Sequence, residues 1–229
     1  MIPLRDINPR SSTPFITIAL IALNALVWFY QVSLGPAAGE QFIFSLGLVP
    51  ARIDAVFTTH AVGLGDALRP LVTSMFLHGG WMHVIGNMWF LWVFGDNVED
   101  RLGHATYFLF YVACGLAAGL LHTVLNWGST VPTVGASGAI SGVLGAYLVL
   151  FPRSRIVTLV PLVFFWFTVQ LPAIFFLGYW IVLQFLGGFA QDPRATGGTA
   201  WWAHIGGFAL GFVLAKMLAP RPRLPYVYR

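Results

Sequence analysis

The chain has 229 residues; 58% are hydrophobic and only 9% are charged. A soluble domain carries roughly 25% charged residues, so this composition excludes a soluble enzyme, a disordered chain and a nucleic-acid binder, and leaves a membrane protein of several spans. The net charge of +4 then reads as an interfacial bias, and the lone cysteine, Cys114, as a small buried residue with no disulfide, redox pair or zinc cluster to join.

Charged residues divide the chain into apolar stretches, and the length allows about six spans of ~20 residues. Residues 11–39 are uncharged, and 15–30 are apolar enough to cross. Two arginines precede them, as in a signal peptide, but the long apolar core favours an uncleaved span. Residues 31–79 form a long amphipathic connection. The next uncharged run, 70–95, supplies a span from about residue 80 that contains His83 and Asn87. Residues 102–152 hold no charge and suffice for two spans, with turn signals at 126–133 (NWGSTVPT) between them. In the run 156–191, Pro161 and Pro172 intervene. We assign 172–190 as the span and 156–170 as an interfacial or partly inserted approach. Residues 195–215 give the last one.

The expectation is therefore a single all-α membrane domain over residues 1–229. Its six spans are 14–31, 80–97, 104–125, 136–152, 172–190 and 199–218, and residues 31–79 form an external loop. With both termini cytoplasmic, nine of the twelve Lys and Arg residues fall inside and three (Arg52, Arg69 and Arg194) outside, as the positive-inside rule requires. The second, fourth and sixth spans then start at similar depth, below the outer surface.

Three polar clusters mark those starts: His83-Val-Ile-Gly-Asn87 preceded by His78, Gly135-Ala-Ser-Gly138, and Ala203-His204-Ile-Gly-Gly207. Strongly polar groups inside a span are costly and by default mark function. Each cluster also has a plainer reading. Ser137 lies in a stripe with Gly138, Gly142 and Gly145 whose GxxxG spacing suits close helix packing, and a serine in such a stripe is packing or a nucleophile. His204 shares a face with Gly207 and Gly211; it is bonded to a carbonyl, a metal ligand, or a base. His83 and Asn87, at i and i+4, are a structural hydrogen-bonding pair or donors to an oxyanion. All eight acids lie in tails, loops or span ends, which leaves a Ser-His dyad rather than a triad. HExxH is missing and no paired intramembrane aspartates occur, against zinc and aspartyl proteases. No internal repeat supports a transporter.

In these stretches, together with 69–78 (RPLVTSMFLH) and 94–99 (FGDNVE), the sequence resembles the rhomboid intramembrane serine proteases, whose motifs occur here in family order. The resemblance implies a nucleophile at Ser137, a general base at His204 and an oxyanion hole from His83, Asn87 and the Ser137 amide. It implies supporting roles for His78, Gly135, Gly138 and Gly207, a polar cluster at Glu99 and Arg101 closing the inner end of the second helix, and a mobile fifth helix around 175–180. The implied reaction is cleavage of single-span membrane proteins near the outer membrane boundary, after local unwinding of the substrate helix, without metal or cofactor. The partners are such substrates and the lipid bilayer, with no nucleic acid and no expectation for the oligomeric state. Two positions depart from the family pattern. Leu68 replaces the loop tryptophan. Ser141 replaces an aromatic that stacks on the histidine, so the rigidity of the imidazole is open. The competing expectations are a catalytically inactive relative that binds or routes membrane clients, and a small transporter using His83, Asn87 and His204 as a proton path. The lack of a presequence or soluble domain leads us to expect a prokaryotic plasma membrane, the short tails leave little room for a regulatory module, and the basic, Pro-rich residues 220–229 read as a cytoplasmic topology anchor.

Overall fold

A computed structural model describes residues 1–162, 165–191 and 198–218. Six helices build the body: α1 (Phe15–Ser33), α6 (Trp81–Leu102), α7 (His104–Leu125), α8 (Ser137–Leu150), α9 (Ala173–Ala190) and α10 (Trp201–Leu218). Between α1 and α6 lie four shorter ones, α2 (Gly35–Leu46), α3 (Pro50–Thr58), α4 (Leu64–Leu68) and α5 (Pro70–Thr73), and a 3₁₀ turn, Ser74–Phe76. Among the described helices, α1, α7, α9 and α10 are long and apolar enough to cross a membrane. Helix α6 is long enough but ends in Asp96, Glu99, Asp100 and Arg101. Helix α8 has 14 residues, about 21 Å at 1.5 Å per residue, shorter than a ~30 Å hydrocarbon core.

Helix α8 is short because it is central. Every residue from Gly138 to Tyr147 is buried, so α8 meets protein rather than lipid on all sides. Its glycines make that possible. A Cβ on Gly138 would lie 2.5 Å from the Ala118 Cβ of α7, and one on Gly145 would lie 2.9 Å from the Phe212 amide of α10. In lipid, where hydrophobic exclusion from water gives no drive between helices, such backbone proximity is a main source of association. Around α8 the core holds Leu91 and Phe94 from α6, Tyr107, Tyr111 and Cys114 from α7, and Leu177 from α9, all fully buried.

The all-α expectation is corrected by a three-stranded antiparallel sheet: β1 (Ile2–Asp6), β2 (Arg155–Leu162) and β3 (Phe165–Pro172), in that order. The described residues of 156–170 form an antiparallel strand pair, not a partly inserted helical approach. It runs from Arg155 opposite Pro172 to Leu162 opposite Phe165. Its Ile, Val, Thr, Phe and Trp residues favour a pleated strand over a helix. Strand β1 adds to the other side, with Asp6 opposite Ile156. The sheet lies at the end of the bundle where α6 and α8 finish. There the Tyr147 hydroxyl donates to Asp6 Oδ2 at 2.5 Å and Asn97 Nδ2 donates to the same oxygen at 2.9 Å. Burial pushes the Asp6 carboxyl up to about 6.

At the same end, the Glu99 carboxylate caps α1 from another helix. The Ile16 and Thr17 amides donate to it at 2.9 and 2.8 Å, supplying acceptors for orphan first-turn N–H groups at the positive end of the helix dipole. Gly103, at φ +79°, takes the left-handed turn that separates α6 from α7. The connection 31–79 is not an open loop. Leu48, Ile53, Ala67 and Leu71 make a second small core, and Leu48 pairs through its backbone with Thr133.

Candidate active site

Helices α6, α8 and α10 begin at one end of the bundle, and their first turns carry the polar clusters. Ser137 opens α8, and His204 lies in the first turn of α10. Their separation is set by glycine-to-backbone contact. A Cβ on Gly207 would fall inside the Gly138 carbonyl oxygen and 2.9 Å from its carbon, and one on Gly211 would lie 2.5 Å from the Gly142 Cα. At that spacing Ser137 Oγ and His204 Nε2 are 2.8 Å apart, a hydrogen bond within the ordinary O–H···N range.

The imidazole is held on its other side. His204 Nδ1 is 2.8 Å from Gln184 Oε1 on α9, and Gln184 Nε2 donates to the Trp180 carbonyl at 3.0 Å. That second bond orients the amide with its oxygen toward the imidazole. Nδ1 then carries the proton and Nε2 keeps the lone pair that faces the serine. The Trp180 ring lies 5.9 Å from the imidazole at 34°. Ser141, at the position where the family pattern has an aromatic, instead donates to the Ser137 carbonyl at 2.6 Å. The missing ring is supplied from a different helix.

His83 and Asn87 face the serine across Gly135. A Cβ on Gly135 would lie 2.7 Å from His83 Nε2 and 3.5 Å from Asn87 Nδ2. Its φ of +127° is also one that glycine alone adopts readily. The Gly79 amide approaches His83 Nδ1 at 3.4 Å. Accepting there places the His83 proton on Nε2, toward Gly135. Asn87 Nδ2 is buried and has no hydrogen-bond partner among the described residues. The Ser137 amide belongs to the first turn of α8, whose N–H groups have no intrahelical acceptor and see the positive end of the dipole. His83 and Asn87 thus line the same cavity as the Ser137 hydroxyl, with Gly135 between them and the serine in the chain.

His78 is fully buried, its ring edge-on to His83 at 5.1 Å. Gln31 of α1 holds its backbone on both sides, donating to the His78 carbonyl at 2.6 Å and accepting its amide at 3.3 Å. His78 thus backs His83 rather than facing the serine. All four central residues line one cavity of about 1220 Å³, together with His122, Thr133, Trp180 and Trp202. His122, on α7, approaches the Thr133 hydroxyl at 2.7 Å and tethers the segment leading to Ser137. Sequence spacing brought out neither Gln184 nor His122. The signal for Gln184 was an amide side chain within the otherwise apolar run 173–190.

A family model described as Rhomboid domain matches residues 65–221. The chain is 33% identical to RHOMBOID-like protein 5 of Arabidopsis thaliana over 69% of its own length and 46% of that protein. It is 27% identical to the Arabidopsis Rhomboid-like protein 11, chloroplastic, over 87% of itself and 67% of the relative. Rhomboid protease GluP of Bacillus subtilis is 30% identical over 64% of this chain and 26% of its own length. For two of these three relatives the chain spans less than half of the matched protein. Relatives from a plant and a bacterium do not select the expected prokaryotic plasma membrane. The chain belongs to the rhomboid family of multi-pass membrane proteins.

Proposed function

We propose that this chain is an intramembrane serine endopeptidase with Ser137 as nucleophile and His204 as general base. The observation that carries the reading is the 2.8 Å contact between Ser137 Oγ and His204 Nε2, in a cavity that His83 and the unpaired Asn87 Nδ2 also line. His204 Nε2 takes the serine proton as Oγ attacks a peptide carbonyl. The negative oxygen that develops is held by His83 Nε2–H, Asn87 Nδ2–H and the Ser137 amide. His204 then returns the proton to the leaving amine, and water, activated by the same imidazole, hydrolyses the acyl-enzyme.

Polar side chains line part of the cavity, and polar groups at membrane depth are tolerated where they line a water-accessible space. In this reading α6 and α8 complete a six-span bundle with both termini cytoplasmic, as the nine-to-three Lys and Arg bias implies. The site then lies below the outer surface. Substrates are single-span proteins whose helices carry small or helix-weakening residues near the outer boundary, because a helical carbonyl is attacked only after local unwinding. A fluorophosphonate probe tests the reading without a substrate. Mapped by mass spectrometry on the protein in lipid, the adduct is expected on Ser137 and lost in His204→Ala. Failure to label Ser137 in folded protein would favour a client-binding relative without protease activity.

A further inference from the structure

We propose that Gln184 of α9 is a positioning residue for His204, fixing its tautomer and ring orientation; this rests on the dyad reading above. Helix α9 is otherwise apolar where it meets its neighbours. Its buried residues are Ala173, Phe176, Leu177, Gln184 and Gly188. An amide buried in such a helix is costly unless both its ends are bonded, and both are: the oxygen accepts from His204 Nδ1 at 2.8 Å and the nitrogen donates to the Trp180 carbonyl at 3.0 Å. The pair is one chain of hydrogen bonds, Trp180 carbonyl to Gln184 to His204 to Ser137, with one direction for every proton.

A neutral amide does here what a carboxylate does in the soluble triads. It orients the imidazole without placing a charge in the membrane, where a buried carboxylate would be expensive. Trp180, one turn earlier on the same helix, packs on both His204 and Phe208. Helix α9 therefore replaces the support that Ser141 cannot give. Displacing α9 by about 1 Å would lengthen the Gln184–His204 contact beyond hydrogen-bonding range, so the base is fully poised only with α9 seated on α10.

The test uses the full chain in lipid vesicles with a fluorescent single-span substrate, comparing wild type, Gln184→Met and Gln184→Glu. Methionine keeps the length and removes both hydrogen bonds; glutamate as the neutral acid keeps a carbonyl acceptor for His204 Nδ1 and a hydroxyl donor for the Trp180 carbonyl. Met is expected to lower kcat about 10- to 10²-fold, the range for lost hydrogen bonds that orient an imidazole, with KM within about twofold, and Glu to recover most of the loss. Nitrogen-15 spectra of labelled histidine give a readout independent of turnover. Wild type should show His204 protonated at Nδ1, and Met a mixture of tautomers. Equal kcat in wild type and Met, or an unchanged tautomer in Met, would overturn the proposal. Cleavage that persists in Ser137→Ala would instead overturn the dyad reading, and the tautomer comparison would still decide the role of Gln184.

Discussion

Substituting Gly207 by alanine tests whether helix spacing sets the geometry of the site. A Cβ there would lie 2.9 Å from the Gly138 carbonyl carbon and nearer still to its oxygen. Carbon atoms ordinarily meet at ~3.5 Å or more, so the carbon contact alone parts α8 and α10 by about 0.6 Å. The oxygen raises this to about 1 Å. Both partners are backbone, so no side-chain rotation relieves the clash. Gly138 follows Ser137 directly and Gly207 lies one turn after His204, so the separation passes straight to the dyad. Its contact of 2.8 Å would open to about 3.8 Å, beyond a hydrogen bond. A misplacement of this size costs about 10²-fold in rate, and overpacking costs about 1–3 kcal/mol of stability. The assay is cleavage of a fluorescent single-span substrate in vesicles, with thermal unfolding measured in parallel. Gly178→Ala is the control, since a Cβ at Gly178 meets nothing within 4 Å, and it should retain both activity and stability. Wild-type cleavage by Gly207→Ala would refute the reasoning.

The other predictions concern the donors and the opposite end of the bundle. His83→Ala and Asn87→Ala should each lower kcat by about 10²–10³ with KM little changed, the usual loss for one oxyanion donor; steady-state kinetics check this, and a change confined to KM would contradict it. Glu99→Ala leaves the Ile16 and Thr17 amides without their acceptor and should destabilise the fold by about 1–3 kcal/mol, read as a lowered unfolding midpoint. Asp6 titrates at about 6 in the fold instead of 3.8 because of burial. Between these values the folded state holds more proton than the unfolded chain, so its contribution to stability is full below about pH 4 and is lost as pH rises through about 6. Asp6→Asn should remove that slope, and parallel melting-temperature profiles of the two proteins against pH would contradict it.

Much of the candidate site was legible because its residues sit in short local patterns at helix starts. His83 and Asn87 share a face by their i, i+4 spacing. The glycines after Ser137 and His204 announce two smooth faces, and these do meet. Gln184 was not legible in that way. It lies 20 residues before His204, and only the packing of α9 on α10 brings its amide to Nδ1 at 2.8 Å. The same packing supplies Trp180 and answers the substitution at Ser141, which local reading saw only as a loss. The pairing of β2 with β3 was missed because 156–170 is apolar enough to read as membrane-associated, and periodicity does not separate a short apolar strand from a buried helix. The other partner of β2, β1, lies about 150 residues away in the chain, a pairing that no local pattern encodes. The helices α2 to α5 were hidden by interruptions such as Pro36, Pro50 and Pro70, which read as loop signals yet here sit at helix N-termini.

The most direct test of the central claim is cleavage by purified protein in lipid vesicles, measured with wild type, Ser137→Ala and His204→Ala on one fluorescent single-span substrate. Wild type is expected to cut within the transmembrane segment near the boundary corresponding to the cavity end. Both variants should lose cleavage while keeping the wild-type unfolding midpoint to within a few degrees. Cleavage surviving in Ser137→Ala at the wild-type rate would contradict the account.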